Sequence, residues 1–268
     1  MILIAEQLLN HPKYNGLAEG LVNALYGRKI NYRFIRGAMD IWLRDFMPIP
    51  LGRNRYLQYH YYPDYLKDYP HLRTDSGPIS QSLGLDTIHS DLIMDGGNVI
   101  LSPNCLIMCD KVVWENRHQY TRKALVRKLH ELFGVDKVVL IGWDKQDRYG
   151  HADGMVRFID EQSVLLSDFS ARDPNVIVPL RKAGLSIQVL ELEKKNISRR
   201  RWAYINFLQT PEIFLLPKLN IPEDDMALQE IKSYYPSYAD QEKIFQLDCT
   251  EIVRRGGALN CISWQTQS

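Results

Sequence analysis

From residue 92 to residue 247 the apolar residues fall into short runs that recur in one order: two strands, a helix, a strand. Leu92-Ile-Met-Asp-Gly-Gly-Asn-Val-Ile-Leu101 reads as strand, turn, strand, and Cys105 to Asp110 as a further apolar strand. Arg117 to Phe133 sets Leu125, Leu129, Leu132 and Phe133 at helical spacing and is closed by Gly134. Lys137 to Ile141 is then a buried strand. The next unit runs through Met155 to Ile159, Ser163 to Ser167, a helix after Asp173-Pro174 that Pro179 weakens, and the strand Leu185 to Leu192. The third has strands at Ala203 to Leu208 and Ile213 to Leu216, a helix from Glu223 to Tyr234, and a strand at Lys243 to Leu247. Upstream, Ile2 to Ile4 and Asn31 to Arg36 read as strands around a helix at Leu17 to Tyr26, followed by a tyrosine-rich strand at Arg55 to Tyr61. Residues 62 to 88, with several Pro, Gly and Asp, read as a surface excursion carrying a short helix near Ile79 to Leu83. An excursion of that length inside a compact domain is often a binding loop.

Polar residues stand at matching places in successive units: Asp45, Asp95, His151, Asn206 and Cys261, separated by 50, 56, 55 and 55 positions. That period is long for a solenoid repeat and suits blades around an axis. If the blades close in a ring, the five positions converge on one site. Unit lengths of this order also occur in α/β chains without a repeat.

With 268 residues and 45% hydrophobic content the chain can bury a large core, and residues 1–268 are expected to form one catalytic domain. Thirty-three Lys and Arg nearly cancel 32 Asp and Glu, which argues against nucleic-acid or membrane-surface binding through bulk charge. No apolar run approaches the roughly 20 residues that span a bilayer. Met1-Ile-Leu-Ile-Ala-Glu6 is too short and too soon charged for a signal peptide. Four cysteines without Cys-x-x-Cys spacing suggest free thiols in a reducing, cytoplasmic setting and give no zinc motif.

The residue types narrow the chemistry. Gly150-His-Ala-Asp-Gly154 leads into Met155 to Ile159, and on a strand His151 and Asp153 would face one side together. Histidine carries protons near neutral pH, and a carboxylate can hold an imidazole or a cation. Cys261 lies in a strand-like run behind Gly256-Gly257, where missing side chains permit close approach. Cysteine with a distant histidine is a covalent-catalysis pattern; a buried inert thiol is the other reading, and Cys105, Cys109 and Cys249 fit that one. Carboxylates around a thiol, in place of an oxyanion hole, favour a cationic electrophile, and a planar guanidinium fits best. Asp95-Gly-Gly-Asn98 also reads as a plain hairpin turn, Trp42 and Phe46 as core aromatics, and Arg44 as a structural ion-pair residue.

Trp42-Leu-Arg-Asp45, Asp95-Gly-Gly-Asn98, Gly150-His-Ala-Asp153, Tyr204-Ile-Asn206-Phe207 and Gly256-Gly-Ala-Leu-Asn-Cys261 together resemble the ordered motifs of the guanidino-group modifying (pentein) superfamily. The branch they resemble is the agmatine deiminase and bacterial peptidylarginine deiminase family, over roughly Trp42 to Gln265. The resemblance implies a pseudo-symmetric five-bladed α/β propeller of strand-strand-helix-strand units. It implies that Asp45 and Asp153 grip a guanidinium, Cys261 attacks its carbon, His151 moves the proton, Asp95 orients His151, and Asn206 lines the site. Trp42 and Arg44 are further candidate substrate contacts. The implied substrate is a small guanidine such as agmatine, with peptidyl-arginine or amidino transfer as alternatives. No cofactor, metal, nucleic acid or membrane is implied, and a homodimer is compatible with this picture. Outside this chemistry, His151 and Asp153 with Asp45 and Asp95 could serve a metal-assisted hydrolase, or the site could bind guanidinium without turnover. Many agmatine deiminases carry His before the nucleophile where this chain has Asn260, and the chain is short for that branch. Recognition of the substrate's far end is expected in residues 52 to 88.

Overall fold

The computed structural model describes residues 1–192 and 199–266 as a mixed α/β fold of five three-stranded sheets. Strand β1 (Ile2–Ala5) pairs in parallel with β2 (Tyr32–Ile35). A second sheet holds β3 (Ile49–Gly52), β4 (Arg55–His60) and β5 (Asp86–Ile93). The third holds β6 (Ile100–Leu101), β7 (Cys105–Cys109) and β8 (Lys137–Ile141). In the fourth are β9 (Val156–Phe158), β10 (Ser163–Ser167) and β11 (Ser186–Leu190), and in the fifth β12 (Leu208–Gln209), β13 (Phe214–Lys218) and β14 (Ile244–Asp248). Finally β15 (Ser263–Gln265) returns to pair antiparallel with β1, setting Leu3 opposite Trp264.

Every sheet repeats one plan. The middle strand is antiparallel to the strand on one side and parallel to the strand on the other. A parallel pair needs a crossover, and the longest helix in each is Asn15–Gly27, Ser76–Ser82, Arg122–Phe133, Pro174–Lys182 and Asp224–Tyr234 in turn. Most middle strands carry unbroken apolar runs because both of their faces are covered, β4 being interrupted by the buried Gln58; all five residues of β7 are buried, as are Val164 to Ser167 in β10. The first strands of the five sheets all contribute to one axial cavity, through Ile49, Ile100, Arg157, Gln209 and Gln265. The strand-strand-helix-strand repeat and its five blades are therefore present.

Boundaries moved where local signals compete. The helix expected from Arg117 starts at Arg122, because Thr121 caps it by accepting from the Ala124 amide; Gly134 ends it in the left-handed region, at φ 63°. Pro179 does not break the fourth crossover helix. The carbonyl it cannot bond, that of Asn175, accepts instead from the Gly142 amide at 2.9 Å. The excursion from 62 is shorter than expected, since β5 already begins at Asp86 and runs parallel to β4. Ala203 to Leu208 is not a strand: Arg199–Ile205 is a 3-10 helix, and only Leu208–Gln209 pair with β13. Ala203, Tyr204, Ile205 and Phe207 are all buried, so the run lacks the alternation that separates strand from helix. Among the described residues no helix is long and apolar enough to cross a membrane.

Candidate active site

Asp45, Asp95, His151, Asn206 and Cys261 each occupy the short approach to the first strand of a different sheet, ahead of β3, β6, β9, β12 and β15 respectively. The backbone there is turn, not strand. Asp45 lies in the helical turn Leu43–Phe46. His151 is extended, but Ala152–Gly154 form a 3-10 turn, so strand alternation does not bring His151 and Asp153 together. Cys261 likewise precedes β15 and is held by its own backbone, its carbonyl accepting from the Arg44 amide at 3.1 Å and its amide donating to Asn206 Oδ1 at 3.4 Å.

These turns do converge. The Cys261 thiol points at Asn206 Oδ1, 3.3 Å away, and at Asp153 Oδ2, 3.6 Å away. Asn260 Nδ2 donates to the same Asp153 oxygen at 2.7 Å, and Asn206 Nδ2 donates to the Asp153 carbonyl at 3.3 Å. The imidazole of His151 sits between two acids, with Nε2 2.9 Å from Asp95 Oδ2 and Nδ1 3.6 Å from Asp45 Oδ1. Glycine makes that sandwich fit: a Cβ on Gly97 would lie 2.6 Å from both Asp45 Oδ1 and His151 Nδ1. A Cβ on Gly257 would fall 2.0 Å from the Trp42 ring, which accounts for the second Gly-Gly pair.

His151, Asp153 and Cys261 line one cavity of about 340 Å³, together with Tyr149, Met155, Phe169, Trp202 and the polar rim Asp144, Arg148 and Arg200. Of the candidate substrate contacts only Asp153 lines it: Asp45 stands behind His151, Asn206 beneath the Cys261 thiol, Arg44 faces the axial cavity, and Trp42 packs on Gly257. The segment expected to recognise the far end is not on its wall either. From residues 52 to 88 it is Tyr65 that approaches, its ring edge-on to His151 at 6.1 Å between centroids, behind the cavity.

The electrostatics follow from crowding acids and a thiol into one buried place. Burial pushes Asp45 up to about 8, although the His151 cation pulls the other way. Burial pulls His151 down, but Asp45, the hydrogen bond to Asp95 and Asp153 outweigh it and hold the ring up to about 10. Burial first, then Asp153 and Asp45, push the Cys261 thiol well above its ordinary value. At neutral pH the site thus holds a thiol and an imidazolium. Asp45 Oδ1 and Asp95 Oδ1 are buried acceptors with no hydrogen-bond donor among the described residues. Each costs on the order of 1–3 kcal/mol, which an incoming N–H would recover. Among the described residues no group of three ligating side chains is arranged for a metal ion.

Residues given no role in the sequence reading surround this centre. Asn260 orients Asp153, where relatives were expected to carry histidine. Asp147 accepts from the amides of Tyr149, Gly150 and His151, fixing the loop that delivers the imidazole. Lys111, fully buried, pairs with Asp64 at 2.8 Å and Glu115 at 3.1 Å and donates to the Tyr149 carbonyl at 2.9 Å, tying Tyr65 and Tyr149 behind His151. A lysine between Asp110 and Val112 gives no sequence signal of burial.

A family model described as Porphyromonas-type peptidyl-arginine deiminase matches residues 10–266. A curated relative, the putative agmatine deiminase of Enterococcus faecalis, is 23% identical over 219 residues, covering 65% of this chain and 57% of the relative. The chain thus spans somewhat over half the length of the curated relatives it matches. Among solved structures, the agmatine deiminase of C. jejuni superposes with a TM-score of 0.76 at 17% identity, over 100% of this chain and 93% of that one. DDAH from Pseudomonas aeruginosa superposes with a TM-score of 0.62 at 12% identity, over 98% and 97%. These likenesses establish the pentein fold.

Proposed function

The chain belongs to the Porphyromonas-type peptidyl-arginine deiminase family, and from that premise we propose that it hydrolyses a guanidinium group with Cys261 as nucleophile. One observation carries the reading: thiol, imidazolium and carboxylate share a cavity rich in acceptors, which suits a planar cation. Asp153 and Asp45 take the guanidinium N–H groups, Asp45 through its free Oδ1. The arriving cation offsets the acids that hold the thiol protonated, so the thiol proton leaves past Asn206 and Asp153 to solvent. The thiolate then forms a bond to the guanidinium carbon. The C–N bond breaks, and His151, fixed by Asp95, gives its proton to the departing ammonia. A thiouronium remains on Cys261. Neutral His151 accepts a proton from water as the water oxygen bonds to that carbon, and the C–S bond breaks to release the ureido product and the thiolate.

The cavity volume of about 340 Å³ suits a small alkylguanidine, its chain lying along Trp202, Phe169 and Met155, and agmatine is the first candidate. The four free, buried cysteines suit a reducing compartment such as the cytoplasm. The test is a panel of agmatine, arginine, methylated arginines and arginyl peptides, scored for ammonia and ureido product. Agmatine turnover that disappears in Cys261→Ser is expected. Full turnover in that variant, or loss of activity to a chelator, would overturn the covalent mechanism.

A further inference from the structure

Behind the catalytic cysteine lies a second cavity, about 390 Å³, into which the first strands of all five sheets face. The peptide between Asn260 and Cys261 divides the two spaces: Asn260 lines the axial cavity and Cys261 the substrate cavity. The walls mix apolar side chains, Ile49, Ile100 and Phe158, with polar ones, and they carry two guanidinium groups, Arg44 and Arg157. Arg44 Nε donates to the Asn260 carbonyl at 3.4 Å, and Arg157 Nη1 donates to the Phe207 carbonyl at 3.3 Å while its guanidinium lies over the Phe207 ring. Neither forms an ion pair among the described residues. Asp153 attracts both guanidiniums and Asp45 attracts Arg44, but neither acid pairs directly with either arginine: Asp153 accepts from Asn260, and Asp45 lies beside His151. Two like charges partly withdrawn from water and facing one cavity are costly unless further opposite charge joins them. Burial lowers the pKa of Arg157, Tyr235 and Asp153 oppose that, and Arg44 lowers it further, which places the two cations within reach of each other. Gln209 and Gln265 line the same cavity, and Gln265 Nε2 donates to the Gln209 carbonyl at 3.0 Å.

From this juxtaposition we propose that the axial cavity binds a small oxyanion, a carboxylate or phosphate, between Arg44 and Arg157. Paired guanidiniums match the spaced oxygens of such a group better than a spherical halide. The site is distinct from the guanidinium pocket, and the inference stands whether or not the proposed reaction is correct, because its readout is binding.

Thermal unfolding of the whole chain is followed against inorganic phosphate or acetate, with sodium and ionic strength held constant by a bulky sulfonate buffer anion. A ligand that binds only the folded form raises the melting temperature saturably. The expected result is a saturable rise with phosphate or acetate in the wild type and at least a tenfold weaker affinity in Arg157→Met. Should that variant fail to fold, Gln265→Glu is decisive. It places a carboxylate in the cavity in exchange for the Gln265 hydrogen bond to the Gln209 carbonyl, and is expected to abolish the response to added anion. The proposal is overturned if phosphate and acetate do no more than the sulfonate control, or if Gln265→Glu keeps the wild-type response.

Discussion

In Cys261→Ser, chemistry stops and no thiol titrates, so the affinity for agmatine should report the protonation of Asp45. Burial holds that carboxyl up to about 8, so two pH units lower only about one site in a hundred carries it ionised. Its Oδ1 lies 3.6 Å from the His151 ring and has no donor of its own among the described residues. A guanidinium that takes this oxygen as an anionic partner must therefore expel the proton when pH is below 8. The cost is about 1.4 kcal/mol per pH unit, so roughly 2.7 kcal/mol at pH 6 and near zero at pH 9. His151, held up to about 10, stays cationic across that window and contributes no slope. Affinity should tighten about tenfold per pH unit from pH 6 to 8 and then level off. Titration calorimetry in buffers of different ionisation enthalpy should show about one proton released per agmatine near pH 6.5 and almost none at pH 9. Asp45→Asn should bind more weakly at pH 9 and lose the slope. An affinity that stays flat between pH 6 and 8 in Cys261→Ser, or a slope that survives in Asp45→Asn, would refute the placement of Asp45 as the second grip.

Asp95→Asn removes a charged acceptor 2.9 Å from His151 Nε2, worth about 1.5–3 kcal/mol. The alkaline limb of the kcat/KM profile, set by loss of the His151 proton, should move one to two pH units down from about 10; an unmoved limb would count against His151 as the acid. Gly97→Ala sets a methyl 2.6 Å from both Asp45 Oδ1 and His151 Nδ1, and should lower kcat about a hundredfold with an unchanged circular dichroism spectrum. Lys111→Met strands Glu115 and Asp64 without their cation and should destabilise the fold by about 3–5 kcal/mol in urea titrations. Glu115 already stands near 8 through burial, so it can take up a proton, and the loss should be smaller at pH 6 than at pH 9.

The blades were legible because their middle strands are covered on both faces. Cys105–Cys109 and Ser163–Ser167 read as unbroken apolar runs, and no turn signal contradicts them. Where apolar runs are buried but not paired, the same signal misleads. Residues Ala203 to Ile205 sit in the core as part of a 3-10 helix, with Tyr204 tethered through its hydroxyl to Asp224, 2.7 Å away. A bond across twenty residues leaves no periodic trace. The same holds for Lys111, whose burial depends on Asp64 and Glu115 arriving from two other elements, and for the far-end recognition expected in residues 52 to 88. That assignment relied on length and composition, whereas the cavity wall comes from the loops that follow β8 and β10 and from Trp202.

The active-site residues were legible for another reason. Each blade delivers one short polar side chain from the turn before its first strand, and the positions are 50 to 56 residues apart because the blades are of similar length. No blade carries a working pair in regular structure: His151 and Asp153 are separated by a turn, and Cys261 meets Asp153 across 108 positions. Local patterning therefore encodes the blade, while the site is encoded only in how often the pattern recurs. A change that keeps every strand but alters the depth of one turn would leave the fold intact and move a single group. Asn260 illustrates this sensitivity. It lies next to the nucleophile, yet its side chain serves Asp153 from another blade at 2.7 Å, so its role follows from the closed arrangement and not from its neighbours in the chain.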